Sequence, residues 1–369
     1  MKESLSHISR RKFIVSAGAS VMGAIALKGC TTNSGNQATN VTALQSPISP
    51  SDEKALYAAA QKEGKLVLYT VFFTQEIVNE IGKAFTNKYP GITFEGTRNT
   101  ASTLFQKINQ EALAGLKVTD VFGTTDISQM MQLKQQGKLL QYEPLGKENI
   151  LKQYRNVDPE NFYQSGAFIP IIIAYNTQKI SAADLPKSWK DLLQERYIDQ
   201  IATGSGAASG QVGTWALAMQ EKYGWDEYIT RFNQLNPKLG RSINDVIPFL
   251  VSGERAIGIA TLGQTLTRKA QGDPLDVVYP TDGAIMVVGP NGILQTAPHP
   301  NAAKLFMNFL MTKEYSDLIA KYYEQPLRSD VKISGAKTIS QMQAYTPTPE
   351  EIQKEMPEII AKWRDLFNA

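Results

Sequence analysis

The amino-acid sequence predicts an α/β fold built on mostly parallel sheets. Two observations carry that expectation. Short runs rich in Val, Ile and Leu alternate with longer segments of helical periodicity, and Pro, Gly and small polar residues punctuate the boundaries. The 369 residues, 42% hydrophobic and 20% charged, suffice for about two domains at roughly 100–200 residues each.

Taken in order, residues 65–69 (KLVLY) form a strand-length apolar run closed by Thr70. Residues 75–89 place Ile77, Val78, Ile81 and Phe85 on one helical stripe, and Pro90-Gly91 stops it. Residues 92–95 predict a second strand, and 101–115 a helix with Leu104, Phe105 and Ile108 inward. Residues 118–122 (VTDVF) predict a third strand, after which residues 123–126 open another helix. The most apolar strand candidate is 166–175 (GAFIPIIIAY). A segment dense in Trp and Tyr, 186–232, follows and is interrupted by the glycine-rich 203–210 (TGSGAASG). A further αβ stretch covers 242–262, and 276–279 is a strand. Residues 283–288 (GAIMVV) and 291–295 (NGILQ) predict two more strands. Pro298, His299, Pro300 and Asn301 precede a helix over 302–311, and one amphipathic helix runs from about residue 349 to the end. This order of elements covers both faces of a parallel sheet with helices.

Composition removes several functions. Residues 1–29 hold five basic side chains against one acidic, so the rest carries a formal charge of −1 within the total of +3. A near-neutral body lacks the clustered basic face that nucleic-acid binding needs. Cys30 is the single cysteine, so neither an internal disulfide nor a cysteine-based zinc site can form. His7 and His299 are the two histidines, which excludes a multi-histidine metal centre in the body. No metal and no cofactor are expected. The glycine-rich segment lacks the Gly-Lys-Ser/Thr ending of a phosphate loop, and no dinucleotide fingerprint occupies a βα turn. Trp189, Trp215, Trp225 and Trp363 are expected in the core rather than stacked on a ligand.

Residues 1–30 read as an address rather than as fold. Arg10 and Arg11 precede a weakly apolar stretch, 15–27, too short to span a bilayer of about 20 apolar residues. That arrangement resembles a twin-arginine export signal. The ending 27–30 (LKGC) resembles a lipoprotein cleavage site, although Lys28 stands where such sites carry a small or apolar residue. The resemblance implies that Cys30 becomes a lipidated N-terminus. Residues 31–51 are polar and Pro-containing, the composition of a flexible tether. A folded domain outside the cytoplasm, in the periplasm or at the cell surface, follows from these features together.

Across the body, a series of segments resembles the bacterial extracellular solute-binding proteins of ABC importers. The resemblance is to the branch of ferric-ion, thiamine, polyamine, phosphonate and sugar-phosphate binders. It is carried by 65–70 (KLVLYT), 85–91 (FTNKYPG), 118–122 (VTDVF), 169–177 (IPIIIAYNT), 185–192 (LPKSWKDL), 252–258 (SGERAIG), 297–306 (APHPNAAKLF) and 323–330 (YEQPLRSD). It implies a two-lobe, type II periplasmic-binding-protein-like fold joined by hinge crossovers. Lobe one would comprise 52–168 plus 284–318, and lobe two 169–283 plus 319–369. The implied protein is a monomeric binder rather than an enzyme. It takes a small-molecule solute, delivers it to a permease in the inner membrane and is itself held by a lipid anchor.

Ligands in such sheets sit beyond strand carboxyl ends, where helix N-termini present free N–H groups. The candidate residues there are Thr70 and Thr74; Arg98, Asn99, Thr100 and Ser102; and Thr124, Thr125 and Asp126. Further along are Ser205 and Gly206, then Asn244, and finally Thr261 and Gln264. Hydroxyls, helix ends and one cation favour a small, polar, anionic organic solute. The same Ser, Thr, Asn and Asp side chains also serve as plain helix caps. Ferric sites in the resembled family use adjacent tyrosines. Here 261–267 (TLGQTLT) contains none, and 71–73 (VFF) offers no early ligand, so a ferric binder is the alternative. An exported hydrolase is a further one, resting on Asp126 with Asp245 as its only cross-lobe carboxylate pair.

Overall fold

A computed structural model describes residues 53–368; the export signal, Cys30 and the tether expected over 31–51 lie outside the described residues. The chain opens with helix α1 (Glu53–Glu63) and β1 (Lys65–Thr70), then α2 (Gln75–Lys88) and β2 (Thr93–Arg98). Next come α3 (Ala101–Leu113), β3 (Val121–Gly123), α4 (Ile127–Gln135) and the short β4 (Leu139–Leu140). Strands β1, β2 and β3 pair in parallel, with Thr70 opposite both Arg98 and Gly123. The third strand is shorter than its sequence predicts. Val118 is exposed, and pairing with β1 begins only opposite Val121.

A long strand, β5 (Tyr163–Asn176), leads to β6 (Ile201–Gly204), α5 (Gly210–Tyr223) and α6 (Arg231–Gln234). These are followed by β7 (Lys238–Gly240), α7 (Val246–Val251), β8 (Ile257–Thr261), α8 (Leu262–Ala270) and β9 (Leu275–Val278). Strands β6, β7 and β8 again pair in parallel. The chain then makes β10 (Ala284–Leu294), α9 (Pro300–Leu310), α10 (Lys313–Ala320), β11 (Ala344–Tyr345) and α11 (Pro349–Phe367).

Residues 283–288 and 291–295 do not form two strands: they are one strand, β10, with a register irregularity between Gly289 and Pro290. Proline lacks the N–H needed for a regular ladder, so a bulge there keeps the strand continuous. Strand β10 lies antiparallel to β3 and to β5, and β5 lies antiparallel to β8 and β9. Two parallel βα layers therefore flank a pair of antiparallel crossover strands, in the order β2-β1-β3-β10-β5-β8-β6-β7.

Each layer has its own aromatic cluster within one continuous hydrophobic core. Phe85 packs edge-on against Phe306 and Phe309 under the first. Trp215 packs edge-on against Trp189, Tyr228 and Phe232 under the second. Trp189, Trp215 and Trp363 are fully buried, and Trp225 is partly so, which places all four in or against the core. Two acidic side chains of the first layer are well paired. The Asp120 carboxylate accepts from Val67 N (2.7 Å) and His299 N (2.8 Å) and lies 2.9 Å from His299 Nδ1. Glu63 accepts from Asn301 N and Ala302 N at 3.0 and 2.8 Å, so α1 supplies the anion for the N-terminus of α9.

Candidate functional site

Parallel pairing brings the ends of β1, β2 and β3 side by side, so α2, α3 and α4 start next to one another. Thr74 caps α2, Thr100 caps α3 and Asp126 caps α4, accepting from Ile77 N, Thr103 N and Ser128 N. In the second layer the segments after β6, β7 and β8 lead into α5, the turn at 242–245 and α8. The two sets of strand ends face each other. Ser102 donates from N and Oγ to Ala208 O (3.5 and 3.3 Å), and Asn244 Nδ2 donates to Phe73 O at 3.1 Å. Arg241 Nη2 reaches Thr103 Oγ1 at 3.4 Å.

Between them lies a cavity of about 10 Å³, lined by Phe73, Thr74, Ile169, Gln211, Asn244, Thr261, Gln264 and Glu324. That is the space of one water at most. Four predicted residues line it: Thr74, Asn244, Thr261 and Gln264. Thr70 borders an adjoining pocket with Phe72, Phe73 and Asn291. The stretch 98–102 meets the second layer through Ser102, while Asn99 Oδ1 accepts from Thr100 N. The Arg98 guanidinium is lowered by burial, with Asp245 as the opposing acidic influence, and its Nε has no hydrogen-bond partner.

The structure does not bring the other candidates to this cavity. Thr124 Oγ1 donates to Gln129 Oε1 (2.8 Å) and accepts from Asp126 N (3.1 Å), so its hydroxyl is used locally. Asp126 is buried and its carboxyl is raised by burial, against two opposing hydrogen bonds from Ser128. Thr125 faces a separate cavity of about 410 Å³, bordered by Thr214, Val287 and residues 346–350. Ser205 Oγ accepts from Ala207 N, and Gly206 lies against the Trp363 ring.

Sequence reasoning missed Glu324, Gln211, Phe73 and Ile169. Glu324 is 3% exposed, and burial pushes its carboxyl up to about 8. Phe73 has φ 62°, a left-handed conformation rare outside glycine, and it turns the chain so that Thr74 can cap α2. Nothing in local composition marks a residue for that conformation. Among the described residues no group of His, Cys, Asp and Glu is arranged to hold a metal ion. His299 is committed to Asp120 rather than to a nucleophile.

Residues 117–343, more than half the chain, match the family of bacterial extracellular solute-binding proteins, and the chain belongs to that family. A curated relative from Sinorhizobium fredii, described as a "Probable ABC transporter periplasmic-binding protein", is 27% identical over 214 residues. The match covers 55% of this chain and 57% of that protein. Among solved structures, the periplasmic binding protein AfuA from Actinobacillus pleuropneumoniae with fructose-6-phosphate bound superposes with a TM-score of 0.74. It is 24% identical, and the match covers 83% of this chain and 99% of that one. Iron-bound HitA from Pseudomonas aeruginosa gives a TM-score of 0.71 at 20% identity, covering 82% and 99%. The fold is the two-lobe, type II periplasmic-binding-protein fold expected from the sequence.

Proposed function

We propose that this chain is the capturing component of an ABC importer, closing its lobes on a small, polar, anionic organic solute and handing it to an inner-membrane permease. The observation that carries the reading is the convergence of strand ends and helix N-termini from both layers on one cavity, with Arg98 half-buried among the facing segments. Free N–H groups at helix starts and a half-desolvated guanidinium both favour a phosphate or carboxylate. One structural neighbour holds fructose-6-phosphate and another holds iron. Iron is disfavoured because the cavity lining contains one carboxylate and neither tyrosine nor histidine; the preference for an organic anion rests on the helix starts and on Arg98 beside that lining.

In this reading lobe one spans 52–168 with 284–318, and lobe two spans 169–283 with 319–369. The boundary then falls where Ile169 and Pro170 pair with Val287 and Met286 on the crossover strands. Replacing Arg98 by alanine is expected to weaken binding by ~10-fold or more, since charge-assisted hydrogen bonds contribute about 1.5–3 kcal/mol. Calorimetry with a phosphomonoester selected by thermal shift measures this, and unchanged affinity removes Arg98 from the site.

The membrane anchor is proposed at Cys30, with the signal removed before it. Cys30→Ser is expected to release the protein from membranes on fractionation. Persistent membrane association would count against the anchor.

A further inference from the structure

At the end of α10, Tyr323 adopts φ 58°, and Glu324 N returns to Ile319 O at 3.2 Å. This left-handed turn reverses the chain and directs the next side chain inward, which is how an acidic residue in the turn that follows α10 comes to be 3% exposed. The Glu324 carboxylate lies flat on Gly263, in the first turn of α8: a Cβ at that glycine would stand 2.3 Å from Oε1 and 2.7 Å from Oε2. Only glycine leaves room for it. Glu324 Oε2 has no hydrogen-bond partner. One residue along α8, Gln264 donates from Nε2 to Asn244 O at 3.4 Å, while its Oε1 also lacks a partner.

Both side chains line the same cavity, and its other lining residues (Phe73, Thr74, Ile169, Gln211, Asn244 and Thr261) bring no cation. Two unpaired acceptors in one buried place are costly and call for a donor. A buried carboxylate calls further for positive charge, since desolvation otherwise disfavours its ionised form. We propose that Glu324 and Gln264 are specificity-determining residues that receive an ammonium group of the solute. This inference rests on the solute-capture reading and makes the solute zwitterionic: its ammonium enters between Oε2 of Glu324 and Oε1 of Gln264, and its anionic end faces the helix starts.

Calorimetry on the purified protein with three probes tests it: 2-aminoethyl phosphate, ethyl phosphate and ethanolamine. The wild type is expected to bind 2-aminoethyl phosphate at least ten-fold more tightly than ethyl phosphate, and Glu324→Gln to erase that preference. Equal binding of the two phosphates by the wild type overturns the ammonium assignment and leaves anion capture standing. So does a preference that survives in a Glu324→Gln protein with an intact thermal transition. Ethanolamine binding as tightly as 2-aminoethyl phosphate keeps the ammonium site and overturns the anionic reading. Binding of none of the three overturns both. The wild-type comparison decides the matter even if the variant does not fold.

Discussion

Glu324→Gln is expected to stabilise the protein against unfolding, by an amount that grows as pH rises. Burial holds the Glu324 carboxyl near 8, whereas an unfolded glutamic acid titrates near its ordinary value of 4.5. Between those values the native state keeps a proton that the unfolded chain releases, so this group lowers stability steadily as pH climbs through that window. At about 1.36 kcal/mol per unit, the full span is worth roughly 4–5 kcal/mol, all of it absent at pH 4 and present above pH 8. Melting curves of the two proteins should coincide near pH 4 and separate by several degrees at pH 9. Curves that stay parallel across that range would mean that the carboxyl is solvated or paired in solution.

A second large effect is expected at Gly210, the first residue of α5. A Cβ there would lie 2.8 Å from Asp126 N and from Thr125 C, both main-chain atoms of the opposite layer. Backbone cannot swing aside as a flexible side chain can. Gly210→Val should therefore hold the start of α5 away from the start of α4, and loosen the neighbouring contact of Ser102 with Ala208. Each layer keeps its own aromatic cluster, so the melting temperature should fall by only a few degrees. Solute affinity should drop by ten-fold or more, and X-ray scattering should show a larger radius of gyration with solute present. Unchanged affinity would show that the layers need not meet at this point for capture.

The sequence made most of the scaffold legible because periodic burial writes it there. Ile77, Val78, Ile81 and Phe85 are all buried on α2, and α9 carries its predicted apolar stripe but begins at Pro300, two residues before the predicted start at 302. Capping residues were equally readable: Thr74, Thr100 and Asp126 stand where a hydroxyl or carboxylate precedes a helix. Reading β10 as two strands failed because Gly289-Pro290 reads as a break, and a bulge is invisible without the partner strand. The candidate cavity was legible where it follows strand ends, as with Thr74, Asn244, Thr261 and Gln264, which line it. Glu324 was not, because what brings it inward is the backbone turn at Tyr323 together with Gly263, far earlier in the chain. Such long-range juxtapositions leave no local pattern. For Thr124 and Gly206 the local signal was sound, but packing turned one hydroxyl to Gln129 and set the other residue against Trp363.

Native mass spectrometry of residues 31–369, isolated under gentle conditions and compared with the same sample denatured, tests solute capture most directly. The account predicts an additional mass of a few hundred daltons, lost on denaturation and carrying both an amine and an acidic group on fragmentation. One equivalent of iron in its place would contradict it.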